Sequence, residues 1–423
     1  MNFLLDEYRK ELLNIDQNSP YKREIFNTLK KEIKNHNLCL VGLRQVGKTT
    51  LMLQLANWYF ENIIKKNQND NELITNVLNE EEKIFYTNIK SIQNVNLKEN
   101  RELLLKEIST KKYQLIVLDE IQEINEWTNF LQVAIDLNKN AKFIVSGSNA
   151  TALKQEIMVG RVKIFFINPL LFNEYKAIWN DNNIDNYLKF GSYPKNKNYS
   201  TAFIQYCELV RGSIIDKIIN EDNKKNIDGT KFLALISDIN NYIGNEINYS
   251  KLENKDISRQ TVSSYLKIMK EGQLIHFVPK YNDKNSTRKN KVYFEDKSMI
   301  YYFNNFEKLN NNLQGSLIEN IVFNYLNYLF ANNNLLDQIF YYRNSKEQEI
   351  DFVLPKQNIL IECKYVEEID INKMDEQFLE IIKNNKELND FKKVVITKNL
   401  NIIQNNIKFI SLDKFLENQY DEL

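Results

Sequence analysis

The stretch Gly42-Leu43-Arg44-Gln45-Val46-Gly47-Lys48-Thr49-Thr50 decides the fold of the first part of this 423-residue chain. It fits G-x-x-x-x-G-K-[ST], the pattern of a loop that wraps phosphate groups. The chain has 10 glycines in all, and two of them occupy the two glycine positions of the pattern. The apolar run 38–41 predicts a buried strand before the loop, and the residues from Thr49 onward predict a helix after it. The backbone N–H groups of such a loop and the helix N-terminus bind phosphate oxygens.

Two side chains of this stretch carry the chemistry of a nucleoside-triphosphate site. Lys48 is placed to reach the β- and γ-phosphates, and the hydroxyl of Thr49 is placed to ligate Mg²⁺. We therefore expect all the residues of 42–50 to bind the nucleotide. Lys48 is also expected to act in catalysis, because it would neutralise the charge that develops on the phosphates.

The stretch 113–120 supplies a second signature, in which an apolar run ends at Asp119 and Glu120. Fully buried parallel strands have this composition, and polar residues emerge at their carboxyl ends beside a ligand. We expect Asp119 to hold the hydration shell of Mg²⁺ and Glu120 to polarise the attacking water as general base. The alternative is a helix cap after a core strand, since acidic residues also favour helix starts.

The next apolar stretch, 142–149, again ends in small polar residues. Ser146 or Ser148 is placed to hydrogen-bond the γ-phosphate or the lytic water, although an ordinary strand-to-loop turn would have the same composition. Arg161 follows shortly afterwards and could stabilise transition-state charge as an arginine finger, in cis or from a neighbouring subunit. A surface or structural arginine is the alternative, and the pattern leaves a homo-oligomer open.

The composition argues against several classes of protein. Lys and Arg together number 56, as do Asp and Glu, so no net field indicates a nucleic-acid or membrane partner for the whole chain. Three widely spaced cysteines argue against a disulfide framework and a zinc site. No apolar run approaches the roughly 18 residues of a membrane span, so we expect no membrane partner. The length predicts about two to three domains, and the cytoplasm is the expected location.

Residues 229–300 have the pattern of a winged helix. Helical patterns precede two apolar strands, 274–278 and 291–294, which flank a basic polar loop. Residues of the third helix and of the loop are placed to contact DNA: Arg259, Gln260, Thr261, Ser263 and Ser264, and Lys280, Lys284, Arg288 and Lys289. The alternative is an interdomain adaptor or a surface that binds a protein partner.

The C-terminal part places Asp351 on one predicted strand and Glu362-Cys363-Lys364 on the next, across a short turn. Period-2 alternation puts Glu362 and Lys364 on the same face. Two carboxylates can hold a divalent ion, and a lysine can orient or deprotonate a water.

This arrangement is similar to the D…(D/E)-x-K pattern of the restriction-endonuclease fold, and Glu319 matches the helix acid that often joins it. The resemblance implies Asp351, Glu362 and Lys364 as catalytic residues, and Glu319, Asp351 and Glu362 as metal ligands. The alternatives are an inactive domain of this fold used for binding, or an exposed hairpin with a Glu–Lys pair.

The order of the motifs resembles that of one group of prokaryotic ATPases. The phosphate loop is followed by Leu-Asp-Glu-Ile-Gln at 118–122, Ser-Gly-Ser-Asn at 146–149, Gly-Arg at 160–161 and Pro-Leu-Leu-Phe-Asn-Glu-Tyr at 169–175. The chain thus resembles the archaeal and bacterial AAA-type P-loop ATPases that carry the domain of unknown function DUF4143. The resemblance implies ATP as the nucleotide, with Mg²⁺ as cofactor.

We therefore predict an α/β chain in five segments. These are an N-terminal helix (1–30), an AAA-type P-loop ATPase core with a parallel sheet (31–170), a helical lid (171–228), a winged helix (229–300) and a restriction-endonuclease-like α/β domain, DUF4143 (301–423). The leading hypothesis is Mg²⁺-dependent ATP hydrolysis that moves the winged-helix and nuclease-like domains and acts on nucleic acid. The alternative is an ATP-controlled switch that binds a protein partner or DNA with little turnover and no nuclease activity.

Overall fold

The computed structural model describes most of the chain. The described residues are 15–17, 19–43, 45–64, 83–92, 95–147, 161–194, 228–282, 290–331 and 339–417. They belong to two compact units, Met1–Ile167 and Asn168–Leu423. The predictions for Arg44, Ser148 and most of the wing (Lys284, Arg288, Lys289) lie outside the described residues, as do half of the N-terminal helix and much of the lid.

The first unit alternates strands and helices, as the apolar runs of the sequence predict. In chain order its elements are α1 (Phe26–Glu32), β1 (Asn37–Val41), α2 (Lys48–Tyr59), β2 (Ile84–Asn88), α3 (Lys98–Thr110), β3 (Leu115–Asp119), α4 (Trp127–Leu137), β4 (Lys142–Gly147) and β5 (Val162–Phe166). The predicted strands are confirmed, with small shifts of their ends.

The strands of the first unit form one parallel sheet in the order β2-β3-β4-β1-β5. Every residue of β3 is buried, as expected for a central strand covered on both faces. Because the strands are parallel, their carboxyl ends meet at one edge of the sheet. Strand β1 leads into the phosphate loop at this edge, and β3 ends there at Asp119.

The second unit begins with helices and a hairpin. Its first elements are α5 (Phe172–Trp179), α6 (Ile184–Phe190), α7 (Gly229–Asn240), α8 (Tyr249–Leu252), α9 (Arg259–Glu271), β6 (Ile275–Pro279), β7 (Asn290–Phe294) and α10 (Met299–Phe303). Helix α9 begins after Ser258, whose side chain accepts a hydrogen bond from the N–H of Thr261, and ends at Gly272. Strands β6 and β7 pair antiparallel. The order of helices and strands is the one predicted for 229–300.

The C-terminal part of this unit forms a mixed sheet. Its elements are α11 (Asn311–Ala331), β8 (Phe340–Arg343), β9 (Glu349–Leu354), β10 (Ile359–Lys364), α12 (Ile371–Asn384), β11 (Lys392–Thr397), β12 (Ile402–Gln404), β13 (Ile407–Ser411) and α13 (Leu412–Leu416). The strand order is β12-β13-β11-β10-β9-β8, in which β9 runs antiparallel to β10 whereas β11 runs parallel to it. Helix α12 packs Phe378 and Ile381 into a core that also contains Leu360 and Val395.

Across the described ranges, no helix combines the length and the apolar character that crossing a bilayer requires. The longest helix of the C-terminal part, α11, carries several asparagines and the acid Glu319.

Candidate functional site

The backbone of the phosphate loop explains both glycines of the motif. Gly42 lies under the backbone of Ile167, and a Cβ at this position would be 2.2 Å from the carbonyl oxygen of that residue. Gly47 has φ 92° and ψ 21°, in the left-handed region that favours glycine. Helix α2 begins directly after Gly47, so its first N–H groups face the loop. The backbone therefore requires both glycines, and the helix N-terminus that follows Gly47 is suited to bind an anion.

Lys48 is buried at the loop. Its side chain is 4% exposed, and Nζ donates to the carbonyl oxygen of Gly42 at 3.0 Å and to that of Leu43 at 2.9 Å. The ammonium is thereby held against the loop that the motif assigns to the phosphates. Its contact with the β- and γ-phosphates stays a prediction.

Asp119 is the centre of a hydrogen-bond network at the end of β3. Its Oδ2 accepts from Thr49 Oγ1 at 2.7 Å and from Asn88 Nδ2 at 3.3 Å. Its Oδ1 accepts from the hydroxyl of Ser146 and from the backbone N–H of Glu120, the latter at 3.1 Å. Burial raises the pKa of Asp119, whereas the hydrogen bonds from Ser146 and Thr49 lower it. The sequence predicts the pairing of Thr49 with Asp119, and the structure brings the two together.

These oxygens fit a magnesium–nucleotide complex. Mg²⁺ prefers oxygen ligands and is commonly held by one or two protein groups together with phosphate oxygens. The hydroxyl of Thr49 and the carboxylate of Asp119 are adjacent, and both lie at the sheet edge from which the phosphate loop leaves β1. The predicted metal ligands of the first unit are thus arranged as such a complex requires.

Ser146 contacts both acidic residues at the end of β3. It is fully buried, its hydroxyl donates to Asp119, and its oxygen accepts from the N–H of Glu120 at 3.1 Å. A serine hydroxyl has a single hydrogen to donate, and here Asp119 takes it. In this arrangement Ser146 orients the two acidic residues, and a direct bond to the γ-phosphate stays a prediction.

Glu120 has an unusual backbone conformation. Its φ is 56° and its ψ is 48°, a left-handed conformation that costs energy for a residue with a side chain. Two acceptors hold its N–H, Asp119 and Ser146. The carboxylate is partly exposed and accepts from the side-chain amide of Gln122. Strained residues held by their surroundings cluster at functional sites, which agrees with the predicted role of general base.

Two residues of this site, Asn88 and Arg23, are not among the residues predicted from the sequence. Asn88 ends β2 at the same sheet edge, so its place at the carboxyl end of a strand was an available signal. Arg23 is 7% exposed, and its Nη1 donates to the carbonyl oxygen of Val46 at 3.0 Å. No local pattern marks Arg23, because the segment around it reaches the loop only after the chain has folded.

Arg161 lies away from the phosphate loop of its own chain. It immediately precedes β5, and β5 pairs with β1 so that Val162 faces Asn37 at the amino end of both strands. The phosphate loop leaves the carboxyl end of β1, so Arg161 is at the opposite edge of the sheet. Its guanidinium lies 3.4 Å from the carboxylate of Asp136. The expectation of an arginine finger in cis does not fit this position, and a role in trans stays a prediction.

The antiparallel pair of β9 and β10 brings the C-terminal candidate residues together, as the sequence predicts. The carboxylate of Asp351 accepts from the N–H of Cys363 at 2.8 Å, and the N–H of Asp351 donates to Glu362 at 3.3 Å. Nζ of Lys364 donates to Glu362 at 2.6 Å, so these two side chains share a face. Gln377 of α12 also donates to Glu362, at 3.3 Å.

Lys291 of β7 lies at the middle of this centre and is not among the residues predicted from the sequence. Its side chain is fully buried, and Nζ lies 3.1 Å from Glu319 and 3.2 Å from Asp351. A third carboxylate, that of Glu349, also contacts the ammonium. The hydroxyl of Tyr293 donates to Glu319 at 3.2 Å. Glu319 and Asp351 are therefore brought together, but around a lysine.

Burial and neighbouring charges both shift the pKa values of these groups. Burial raises the pKa of Glu362 to about 7, as does the charge of Asp351, while Lys364 acts to lower it. Burial alone would lower the pKa of Lys291, but the charge of Glu319 and the other carboxylates raises it well above its usual value. The pKa of Lys364 is likewise raised, because the charges of Glu362 and Asp351 outweigh its burial.

With Lys291 in place, the carboxylates do not fit the divalent ion predicted for Glu319, Asp351 and Glu362. The ammonium takes one oxygen of Asp351, and the N–H of Cys363 takes the other. In the described part of the chain, no group of three or more His, Cys, Asp or Glu side chains has an arrangement that could hold a metal ion. The physical reason is that a cation of the protein itself stands among the predicted ligands.

Comparison with known protein families divides the chain into three matched regions. Residues 34–176 match an AAA domain, residues 181–310 match a domain of unknown function, DUF8612, and residues 314–415 match DUF4143. The AAA domain and DUF4143 confirm the resemblance that the motifs indicated. DUF8612 covers the region predicted to contain much of the lid and the winged helix.

Among curated proteins, the chain is similar to the uncharacterised protein MJ1544 of Methanocaldococcus jannaschii, with 26% identity over 361 residues that cover 78% of this chain and 74% of that protein. Among solved structures, it is similar to AMPPCP-bound DnaA of Aquifex aeolicus, with 13% identity, a TM-score of 0.27 and coverage of 58% of this chain and 75% of that one. The Pif1 helicase of Candida albicans gives 13% identity and a TM-score of 0.26, and the alignment covers 45% of this chain and about half (48%) of the helicase. At these scores the two structures carry no argument about function.

Proposed function

We propose that this chain, which carries an AAA domain followed by DUF8612 and DUF4143 domains, is an ATPase that binds ATP with Mg²⁺ and hydrolyses it. Hydrolysis would drive movement of the C-terminal regions, which act on nucleic acid. The observation that carries the proposal is the hydrogen bond of 2.7 Å between Thr49 of the phosphate loop and Asp119 of β3. It joins the two predicted metal-binding groups at the edge where the phosphate loop begins.

Each group of the phosphate-loop site has its own role in the proposed hydrolysis of ATP. Backbone N–H groups of the loop and Lys48 bind the phosphates and neutralise the charge that develops on them. A bound Mg²⁺, held through Thr49 and Asp119, would supply further neutralisation of that charge. Glu120 would accept a proton from the attacking water, and the side-chain amide of Gln122 donates to its carboxylate.

Steady-state release of phosphate from ATP tests this proposal. We expect Glu120→Gln to lower the rate by about 10²–10⁴-fold and to leave ATP binding in place, because the base is lost and the phosphate contacts remain. Glu126→Gln is the matched control, since it makes the same change at an exposed residue of the next turn. Equal turnover by Glu120→Gln and wild type would remove Glu120 from the mechanism.

Binding of the nucleotide is tested separately by calorimetry. We expect Mg²⁺-dependent affinity for ATP in the wild type and its loss in Lys48→Ala, with exposed Lys90→Ala as control. If the wild-type protein binds neither ATP nor GTP, the proposal that this chain is an ATPase is wrong. ATP binding without turnover, in both the wild type and Glu120→Gln, would favour the alternative of an ATP-controlled switch.

Contact with DNA is the second part of the proposal, and the exposed face of α9 supports it. Arg259 and Lys267 each have 74% of their side chain exposed, while Val262 and Leu266 are buried on the other face. We expect Arg259→Ala with Lys267→Ala to weaken a gel shift of duplex DNA. The salt dependence of binding should also fall, by about one unit of slope for each phosphate that the removed side chains neutralise. Lys98→Ala, 83% exposed in the first unit, is the control. An unchanged gel shift would leave a protein partner as the alternative.

A further inference from the structure

Lys297 is a buried lysine that lines a small cavity within the second unit. It lies in the turn between β7 and α10, and only 2% of its side chain is exposed. The cavity is bounded by this turn, by α6 and α11, and by the segment that precedes α5. Apolar side chains such as Leu170, Ile321 and Leu416 form much of its wall. The fold thus places an amine beside a largely apolar space.

The ammonium of Lys297 is held by three neighbours. Nζ lies 3.4 Å from the ring centroid of Tyr187 and donates to the hydroxyl of Ser192. The carboxylate of Asp296 lies 3.9 Å from Nζ. The hydroxyl of Tyr187 donates to the carbonyl oxygen of Leu170 at 2.9 Å, and the N–H of Leu170 donates to that of Ser192 at 2.8 Å. These backbone contacts fix the two groups against which the amine rests.

The titratable groups around Lys297 are few and mostly buried. Burial lowers the pKa of Lys297 from an ordinary 10.5 to about 8, while the charge of Asp296 acts to raise it. Glu295 also lines the cavity, and its carboxylate contacts His276. Burial and the charges of Asp296 and Glu295 raise the pKa of Tyr193 well above its usual value. Tyr193 is therefore a neutral phenol at physiological pH.

Desolvated lysines whose amine loses its proton readily are the lysines that proteins use as nucleophiles and in Schiff bases. The other buried lysine of this unit, Lys291, is of the opposite kind, because the carboxylates around it raise its pKa and keep it charged. Lys297 combines burial, a cavity beside it and a single carboxylate at 3.9 Å. A perturbed group in such a position is a candidate for chemistry.

We propose that Lys297 is the reactive amine of a carbonyl-binding site, where it forms an imine with a small uncharged aldehyde. The neutral Nζ attacks the carbonyl carbon, so that a C–N bond forms as the C=O π bond breaks. The oxygen then leaves as water with both hydrogens of the amine, and one proton from solvent converts the imine into an iminium. The step needs no oxidant or reductant. It involves neither nucleotide nor the phosphate-loop site, so it is independent of the ATPase proposal.

The surroundings of Lys297 select the class of carbonyl compound. The buried carboxylates of Glu295 and Asp296 disfavour an anionic ligand such as a 2-oxo acid, and the apolar wall favours a short alkyl chain. An iminium also keeps a positive charge over the ring of Tyr187 and beside Asp296, whereas acylation of the amine would remove that charge. A small neutral aldehyde satisfies both conditions.

Reductive trapping on the full chain without nucleotide tests the proposal. The protein is treated with propanal and cyanoborohydride, and peptide mass spectrometry follows the propyl group on each lysine. At about pH 7.5 we expect Lys297 to be labelled on the order of 10-fold faster than exposed Lys267, because its lower pKa leaves more neutral amine. Lys291 should stay unlabelled, since it is equally buried but held as an ammonium. Lys297→Arg keeps the cation, and its intact mass should lack the fast adduct.

A bulky aldehyde separates reaction in the cavity from reaction after local opening. We expect 1-naphthaldehyde to label Lys267 and to leave Lys297 unlabelled, while circular dichroism shows that the treated protein remains folded. The proposal is wrong if propanal labels Lys297 no faster than Lys267 in the folded protein. It is also wrong if 1-naphthaldehyde labels Lys297 as fast as propanal does, or if Lys291 is labelled together with Lys297, since opening of the fold would then account for the reaction.

Discussion

Gly42→Ala is the perturbation whose effect the structure predicts most directly. An added Cβ would be 2.2 Å from the carbonyl oxygen of Ile167, while such contacts in proteins essentially begin at 3.0 Å. The obstacle is backbone, so no side chain can rotate away. The two segments must separate by about 0.8 Å, the difference between these two distances. They are also joined by a hydrogen bond of 2.7 Å from the N–H of Ile167 to Val41, which the separation would weaken or break.

The expected loss of stability has two causes, the close contact of the added Cβ and the weakened hydrogen bond. Overpacking in a tight site costs about 1–3 kcal/mol, and loss of the hydrogen bond adds about 1 kcal/mol. We therefore expect the free energy of unfolding of the first unit to fall by ~2–4 kcal/mol, which lowers its thermal midpoint by roughly 5–15 °C. Thermal unfolding followed by the fluorescence of Trp58 and Trp127 measures this, in a Trp179→Phe background that removes the tryptophan of the second unit.

Gly315→Ala is the matched control, because it makes the same substitution where there is room. Gly315 lies in helix α11, and a Cβ there would meet nothing within 4 Å. Alanine is the better helix residue, so we expect a gain of about 0.5–1 kcal/mol in the free energy of unfolding of the second unit, which Trp179 reports when it is retained. The midpoint of the first unit, which Trp58 and Trp127 report, should not change. The reasoning about close approach is refuted if Gly42→Ala leaves the midpoint of the first unit unchanged or raises it.

Three further predictions test other contacts. Asn88→Ala removes one donor to Asp119, so we expect weaker Mg²⁺ dependence of ATP binding in calorimetry by a factor of a few; an unchanged dependence would exclude Asn88 from the site. The pKa of Glu362 is raised to about 7 from an ordinary 4.5, so the folded state holds its proton more tightly. Stability should fall by ~1–3 kcal/mol between pH 4.5 and 7, and Glu362→Gln should flatten this part of the urea-midpoint profile. If Arg161 acts in trans, Arg161→Ala should lower ATP turnover about 10³-fold. Mixing this variant with Lys48→Ala protein, which still supplies Arg161, should restore part of the turnover. Full activity of Arg161→Ala would leave Arg161 with its contact to Asp136 and without a role in turnover.

The phosphate-binding part of the first unit could be predicted from sequence because its determinants are local. The loop needs glycine at two fixed positions, and Lys48 and Thr49 follow within the same turn. Asp119 could be placed because a buried parallel strand has an apolar run and ends in polar residues at the ligand edge. The same logic paired Asp351 with Glu362 and Lys364, since alternation along two adjacent strands fixes which side chains share a face.

The sequence by itself determined the parallel sheet with its phosphate loop, the AAA and DUF4143 character of the chain, and the residues that meet within one strand pair. The tertiary structure alone decided that Arg161 lies at the edge of its sheet opposite the phosphate loop and that Lys291 lies among the carboxylates of the C-terminal centre. Strand order and distant packing set both outcomes, since the partners of Lys291 lie far along the chain on other elements. A lysine in a strand looks solvent-facing by pattern, and only the converging carboxylates make its burial favourable.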